Sequence, residues 1–269
     1  MTALRPPSLA GKVAIVAGAG TSGRAGDATG NGTAAALAFA EAGAEVVCVD
    51  ISEAAARSAA DRIRKAGGSA MAYTADISDT TRIAELMRVV DQTFGRLDIL
   101  HNNVRVVNSD TLAAFDEDRF KRTFEVNVQG TALCCHHALP LMKRSGGGAI
   151  INVTAVAGSR AYENLFSYSV TNAAVEQMTR VIAREAIADA VRCNAISLGI
   201  IEAPVAMDVY TALLGDVDQA RARLQAYAPG GQLGSVWDGA RLAVFLASDA
   251  GKYINAAVLP VDAGARAFC

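Results

Sequence analysis

Short runs of β-branched and small apolar residues recur through the chain, each separated from the next by a stretch with helical periodicity. The first two, KVAIVAGAG at 12–20 and EVVCVD at 45–50, end in glycine and aspartate. SAMAYTAD, LDILHNN, GAIINVT, VRCNAIS and AAVLPVD follow. Apolar runs of this length without polar alternation suit strands covered on both faces, the condition of a parallel sheet flanked by helices. The intervening segments supply those helices: SEAAARSAADRIRKAG, DTTRIAELMRVVDQTFG, the long DEDRFKRTFEVNVQGTALCCHHALPLMKR, and SYSVTNAAVEQMTRVIAREAI. About seven strands alternating with helices predict a doubly wound, three-layer α/β fold.

No linker or repeat divides the 269 residues, so one Rossmann-type domain over 1–269 is expected. Apolar residues make up 52% and charged residues 19%, enough for a sizeable core. A net charge of −2 with no basic stripe argues against a nucleic-acid partner. The opening MTALRPPSLAGK lacks an apolar signal core, and Glu41 and Glu45 interrupt the longest alanine-rich stretch. No membrane span is expected, and the cytoplasm is the expected location. Five irregularly spaced cysteines fit reduced thiols rather than a disulfide framework. Residues 200–234 break the rhythm, with short helical pieces and a Pro229-Gly230-Gly231 turn. Beyond the carboxyl ends of the strands, such an insert reads as a lid over a substrate site.

Gly18, Gly20, Gly30 and Gly32 flank the turn between the first strand and the first helix. Backbone N–H groups there, together with the helix dipole, can hold a pyrophosphate. Asp50, at the end of the second strand and followed by Ile51, can bind both hydroxyls of an adenosine ribose and repels a 2′-phosphate. This context points to NAD rather than NADP.

The glycine turn, TADISD, LDILHNNV, FEVNVQGT, GAIINVTAVAG, YSVTNAAV, VRCNAISLGIIEAP and FLASDAGKYINAAVLPVDAG together resemble the short-chain dehydrogenase/reductase family over nearly the whole chain. The enlarged turn TSGRAGDAT, ending in Gly30-Asn31-Gly32, is similar to that of one subgroup. The resemblance implies NAD(H) as cofactor. By it, Asp76 and Ile77 contact adenine, Asn103 and Val104 line the cofactor cleft, and Ile201 approaches the nicotinamide carboxamide. Asn127 holds a water-linked proton relay. The family's catalysis uses a serine that hydrogen-bonds the substrate oxygen, a tyrosine that transfers the proton, and a lysine that lowers the tyrosine's pKa. The resemblance also implies a homodimer or tetramer, or a hetero-oligomer with another subunit of the family.

Tyr168 keeps the tyrosine's place, but the serine's position is Ala155 and the lysine's is Asn172. Ala17, Arg105, Leu198, Ala256 and Ala263 are further departures, the last two at positions where the family usually has glycine. A tyrosine of unperturbed pKa, about 10, is ionised to roughly one part in 10³ at pH 7, and neutral Asn172 supplies no field to change that. Standard hydride transfer is therefore expected to be impaired. Three readings follow: a tyrosine-based enzyme of non-standard chemistry on a small hydroxy or keto compound, an NAD-dependent oxidoreductase in which Arg105 compensates, or a non-catalytic subunit paired with an active relative. The number of departures favours the first and third. Thr154, adjacent to Ala155, is expected to face the other side of its strand.

Arg160, Tyr162, Glu163 and Asn164 lie in the loop beside the expected substrate site, where Glu163 is a candidate acid or base. Cys134-Cys135-His136-His137 cannot converge on one ion, because consecutive helical residues fan out by about 100° each. No metal site is expected, and the run reads as packing. His101 reads as a strand-end residue, and Trp237 as the anchor of its helix.

Overall fold

The computed structural model describes residues 6–21 and 28–267. These form a seven-stranded sheet in the order β3-β2-β1-β4-β5-β6-β7, parallel throughout. The strands are β1 Val13–Ala17, β2 Glu45–Asp50, β3 Ser69–Thr74, β4 Ile99–Asn102, β5 Gly148–Ala155, β6 Val191–Leu198 and β7 Val258–Val261. They coincide with the seven apolar runs of the sequence. The order reverses between β1 and β4, which opens a crevice at the carboxyl ends of those strands.

Alternation along each strand divides the interior into two cores. Ala14 and Val16 of β1, with Val46 and Cys48 of β2, face α1 (Asn31–Glu41), α2 (Glu53–Lys65) and α9 (Val236–Ala247). Val13, Ile15, Val47 and Val49 face α3 (Thr80–Phe94), α5 (Thr131–Arg144) and α6 (Phe166–Glu185). Trp237 is partly buried and packs on the first core. Ser52, Asp79 and Ser235 cap α2, α3 and α9 by accepting backbone N–H bonds, which fixes where those helices begin.

Two expectations need correction. The long helix read from 116 to 144 is α4 (Glu117–Phe124) and α5, joined by a π turn at Glu125–Gly130. Such turns insert a residue and re-aim side chains, and this one carries Asn127. The lid is also more regular than short helical pieces: α7 (Pro204–Leu214) and α8 (Val217–Tyr227) are three-turn helices, closed by a bridge between Ile201 and Gly234. No described helix is long and apolar enough to cross a membrane.

Candidate active site

A cavity of about 540 Å³ lies in the crevice at the strand ends. Gly18, Gly20, Gly30, Gly32, Asp50, Ile51, Asp76, Ile77, Asn103 and Ile201 all line it, as do Tyr168 and Arg105. Asn127 is fully buried behind the wall. The enlarged turn lies partly outside the described residues, since 22–27 are not among them.

Close packing dictates the glycine turn. Gly18 has φ of +78°, the left-handed region that disfavours a side chain. A Cβ at Gly32 would collide with the Gly18 carbonyl and approach Asn103 Nδ2 to 2.7 Å. The Asn103 amide meanwhile donates to the Gly18 carbonyl at 3.1 Å. Gly30 caps α1 without a side-chain hydrogen bond, so among the described residues no cap side chain accepts from the first N–H groups of α1, and Asn31 and Gly32 line the cavity at a dipole's positive end. Asp50 is oriented by two backbone donors, Gly20 N–H at 3.1 Å and Ser52 N–H at 3.0 Å. Farther along the wall, Asp76 accepts from Ser78 N–H and Oγ–H and pairs with Arg122 at 2.8 Å. Burial works against its charge, but the Ser78 and Arg122 bonds outweigh it and hold its carboxyl below the ordinary range. These features fit a dinucleotide: donors for a pyrophosphate, a carboxylate for ribose hydroxyls, and glycines where a Cβ would fill the cradle.

At the other end of the cavity, Ala155 closes β5 and Tyr168 lies in the first turn of α6. Asn172 is engaged by backbone atoms on two elements. Its Oδ1 accepts from Ala155 N–H at 3.0 Å and its Nδ2 donates to the Tyr168 carbonyl at 2.8 Å, so it ties the end of β5 to the start of α6. Thr154 does not supply the absent serine, because its hydroxyl is directed to Glu176 and the Ile196 carbonyl.

Arg105 follows β4 and the asparagine pair. Its guanidinium lies inward, where Nη1 donates to the Val104 carbonyl at 2.5 Å and to Thr131 Oγ1 at 3.2 Å. Nε and Nη2 are buried and have no partner among the described residues. Burial pushes its pKa down to about 10, opposed by the neighbouring Tyr168, Cys135 and Cys134. For Tyr168, burial raises the pKa while the Arg105 charge and an Asn172 hydrogen bond lower it, and burial prevails. The cation beside the tyrosine thus comes from the loop after β4 rather than from α6.

Asn127 braces this arrangement. Its side chain exchanges hydrogen bonds with the Val106 backbone at 2.7 and 3.0 Å and donates to Thr171 Oγ1 at 3.1 Å, linking the loop after β4 to α6. Asp110 adds a second link: its carboxylate accepts from both the N–H and the hydroxyl of Ser167 at the start of α6. No local pattern announces a contact between residues 57 positions apart. The sequence also did not reveal the substrate-side wall, where Tyr162, Tyr210 and Tyr227 stack with centroids 5.9 and 6.4 Å apart. Only their convergence from a loop and two lid helices makes them a wall. Although its sequence is largely apolar, α7 has no buried residue, and Leu213 is 60% exposed.

Other candidates fall outside the chemistry. Glu163 is exposed on the cavity wall, and Arg160 donates to the Ala265 carbonyl and stacks on Tyr162. His101 is buried on β4 with its ring edge against Phe39. Cys134 and Cys135 are buried and His136 and His137 stack on each other, with no metal-binding cluster among the described residues.

Comparison with known proteins agrees with this architecture. Residues 25–266 match a family model described as Enoyl-(Acyl carrier protein) reductase. The chain is 35% identical to cis-4-hydroxycyclohexanecarboxylate dehydrogenase of Sinomonas cyclohexanicum, over 96% of this chain and 97% of that one. It is 33% identical to 2,5-dichloro-2,5-cyclohexadiene-1,4-diol dehydrogenase of Sphingobium indicum, over 95% and 96% of the two chains. A solved short-chain dehydrogenase/reductase structure from Burkholderia xenovorans superposes with a TM-score of 0.90 at 36% identity, covering 97% of this chain and 98% of that one. With its strand order, its glycine turn and a tyrosine-bearing α6 in place, the chain belongs to the short-chain dehydrogenase/reductase family.

Proposed function

We propose that the chain is an NAD(H)-linked oxidoreductase of small ring-shaped ketones and alcohols, in which Tyr168 acts as a proton donor and Arg105 takes over the charge normally supplied by a lysine. The observation that carries this reading is the inward guanidinium of Arg105, whose field acts on Tyr168. That placement shifts the weight from non-redox chemistry and from a silent subunit toward an altered relay. NAD(H), when bound, supplies the hydride donor or acceptor. Asp50 selects the unphosphorylated ribose by charge, and the uncapped start of α1 holds the pyrophosphate.

Tyr168 has its pKa raised by burial, so its phenol is protonated at neutral pH and can donate to a substrate carbonyl oxygen. Donation leaves a phenolate, which the Arg105 charge stabilises through space. Arg105 is a positioning residue, because its buried Nε and Nη2 do not reach the cavity surface. Ala155 provides no second donor to the oxygen, a loss that typically costs ~10²–10³ in rate. Slow carbonyl reduction at neutral pH is therefore expected, with alcohol oxidation growing as pH rises toward phenol ionisation. The tyrosine-lined wall suits an alicyclic substrate, and the two dehydrogenase relatives named for cyclohexane and cyclohexadiene compounds support that class.

The test pairs calorimetric titration with NADH and NADPH with turnover of cyclohexanones followed by NADH absorbance. Micromolar NADH binding, weaker NADPH binding, and turnover abolished by Tyr168→Phe are expected. Absence of NADH binding at millimolar concentration would refute the reading.

A further inference from the structure

Besides Tyr168, the cavity wall carries three arginines, and their surroundings differ. Arg122 is neutralised by Asp76 and Glu125 at 2.8 and 2.9 Å. The guanidinium of Arg105 is sunk behind the wall. Arg223 is exposed and has no carboxylate within ion-pairing distance among the described residues, although Arg221, two positions earlier, pairs with Glu202. Its guanidinium rests over the Tyr227 ring at 4.9 Å from the centroid, which restricts the long side chain without satisfying its donors. Arg223 and Tyr227 are one turn apart on α8 and so share a face. Leu224 between them anchors that face, being buried to 3% exposure. An oriented cation with no carboxylate partner among the described residues therefore lines the same cavity as Tyr168, against the wall of tyrosine rings.

We propose that Arg223 is the specificity-determining anchor for a carboxylate on the substrate, so that the chain acts on a small hydroxy or keto acid whose apolar body lies against Tyr162, Tyr210 and Tyr227. This rests on the reading that carbonyl chemistry occurs at Tyr168. The planar guanidinium suits a two-point grip on a carboxylate, which an ammonium does not reproduce. The charged group then stays beside the exposed Arg223, where its desolvation is small. Glu163, exposed in the lining of the same cavity, opposes an anion by its charge. Replacing it by glutamine tightens acid binding.

The probes are 4-oxocyclohexanecarboxylate and the matching carboxamide, which differ in charge but hardly in shape. The wild-type chain is expected to show a KM about tenfold or more lower for the acid, from a charge-assisted hydrogen bond. Arg223→Gln should erase that difference, and a thermal midpoint matching the wild type shows that the variant folds. Arg223→Lys should restore part of it. Equal KM values for the two ketones in the wild type, or no response to Arg223→Gln, would overturn the proposal. If neither ketone turns over, calorimetry with cyclohexanecarboxylate and cyclohexanecarboxamide, with and without NADH, separates the two ideas. Carboxylate-selective binding lost in Arg223→Gln would support the anchor while the redox reading fails. Equal or absent binding of the two would overturn the anchor itself.

Discussion

Replacing Arg105 by methionine tests the central electrostatic argument, because stability and activity are expected to move in opposite directions. In the wild type, two guanidinium nitrogens are buried without partners. Each such donor costs ~1–3 kcal/mol, or ~2–6 kcal/mol together. Methionine keeps much of the side-chain volume and removes that cost. It also removes two hydrogen bonds, to the Val104 carbonyl and to Thr131, worth ~0.5–1.5 kcal/mol each. Thr131 still donates to the Asn127 carbonyl at 2.8 Å, so it is not left unsatisfied. With mid-range values of ~4 and ~2 kcal/mol, the balance favours the variant by ~2 kcal/mol. Without the cation, the Tyr168 pKa rises further and its phenolate loses its stabilising field, so turnover should fall by ~10²-fold. Urea midpoints at constant m-value report the first quantity, and NADH-linked rates against pH report the second. A variant that is less stable than wild type and turns over at the wild-type rate would show that Arg105 is a structural brace.

Three more outcomes follow from the geometry. Ala155→Ser with Asn172→Lys restores the family's groups, but the new ammonium and Arg105 would both act on Tyr168, and the backbone N–H at 155 loses the acceptor Oδ1. Adding Arg105→Gly should therefore raise carbonyl reduction by a further factor of about ten, measured as kcat/KM. Ala256→Gly and Ala263→Gly relieve left-handed backbones of φ 60° and 51°; each should raise the thermal midpoint, by up to about 1 kcal/mol of stability, since the strain is ~1–2 kcal/mol and glycine's added unfolded-state entropy is ~0.4–1. His101 is held neutral by burial, aided by the Arg105 charge, and its pKa falls from 6.5 to about 3. Above 6.5 both states are neutral and its contribution is intact. As pH falls from 6.5 to 3 the unfolded chain takes up a proton that the fold refuses, so stability drops. His101→Leu should flatten this acid limb in denaturation midpoints measured against pH.

The strands were legible because burial on both faces leaves uninterrupted apolar runs, and β1 and β2 show that signal in their two-sided packing. The dinucleotide half was legible for a similar reason: Gly18 and Gly32 answer to backbone geometry, and Asp50 to its place at a strand end. Ala256 and Ala263 stood out as departures, and both proved to occupy backbone conformations that glycine prefers. The chemistry was less legible. Asn172 looked like an omission, yet both ends of its amide are committed to backbone atoms. Arg105 could be located along the chain but not aimed, because its direction depends on Thr131 and the π turn before it. The lid helices escaped notice as regular elements because α7 is apolar without a clear buried stripe, so periodicity had little to mark.

That last property has a thermodynamic consequence. A helix with the sequence PVAMDVYTALL that leaves Val205, Leu213 and Leu214 exposed keeps oil-like surface in contact with water, and the hydration of that surface carries heat capacity. A ligand that draws α7 down onto the tyrosines removes that water, so its association should become more exothermic with rising temperature, the mark of a negative heat-capacity change. Until then α7 belongs to the least cooperative part of the molecule, and its amides should exchange with solvent well before those of β1 or β5.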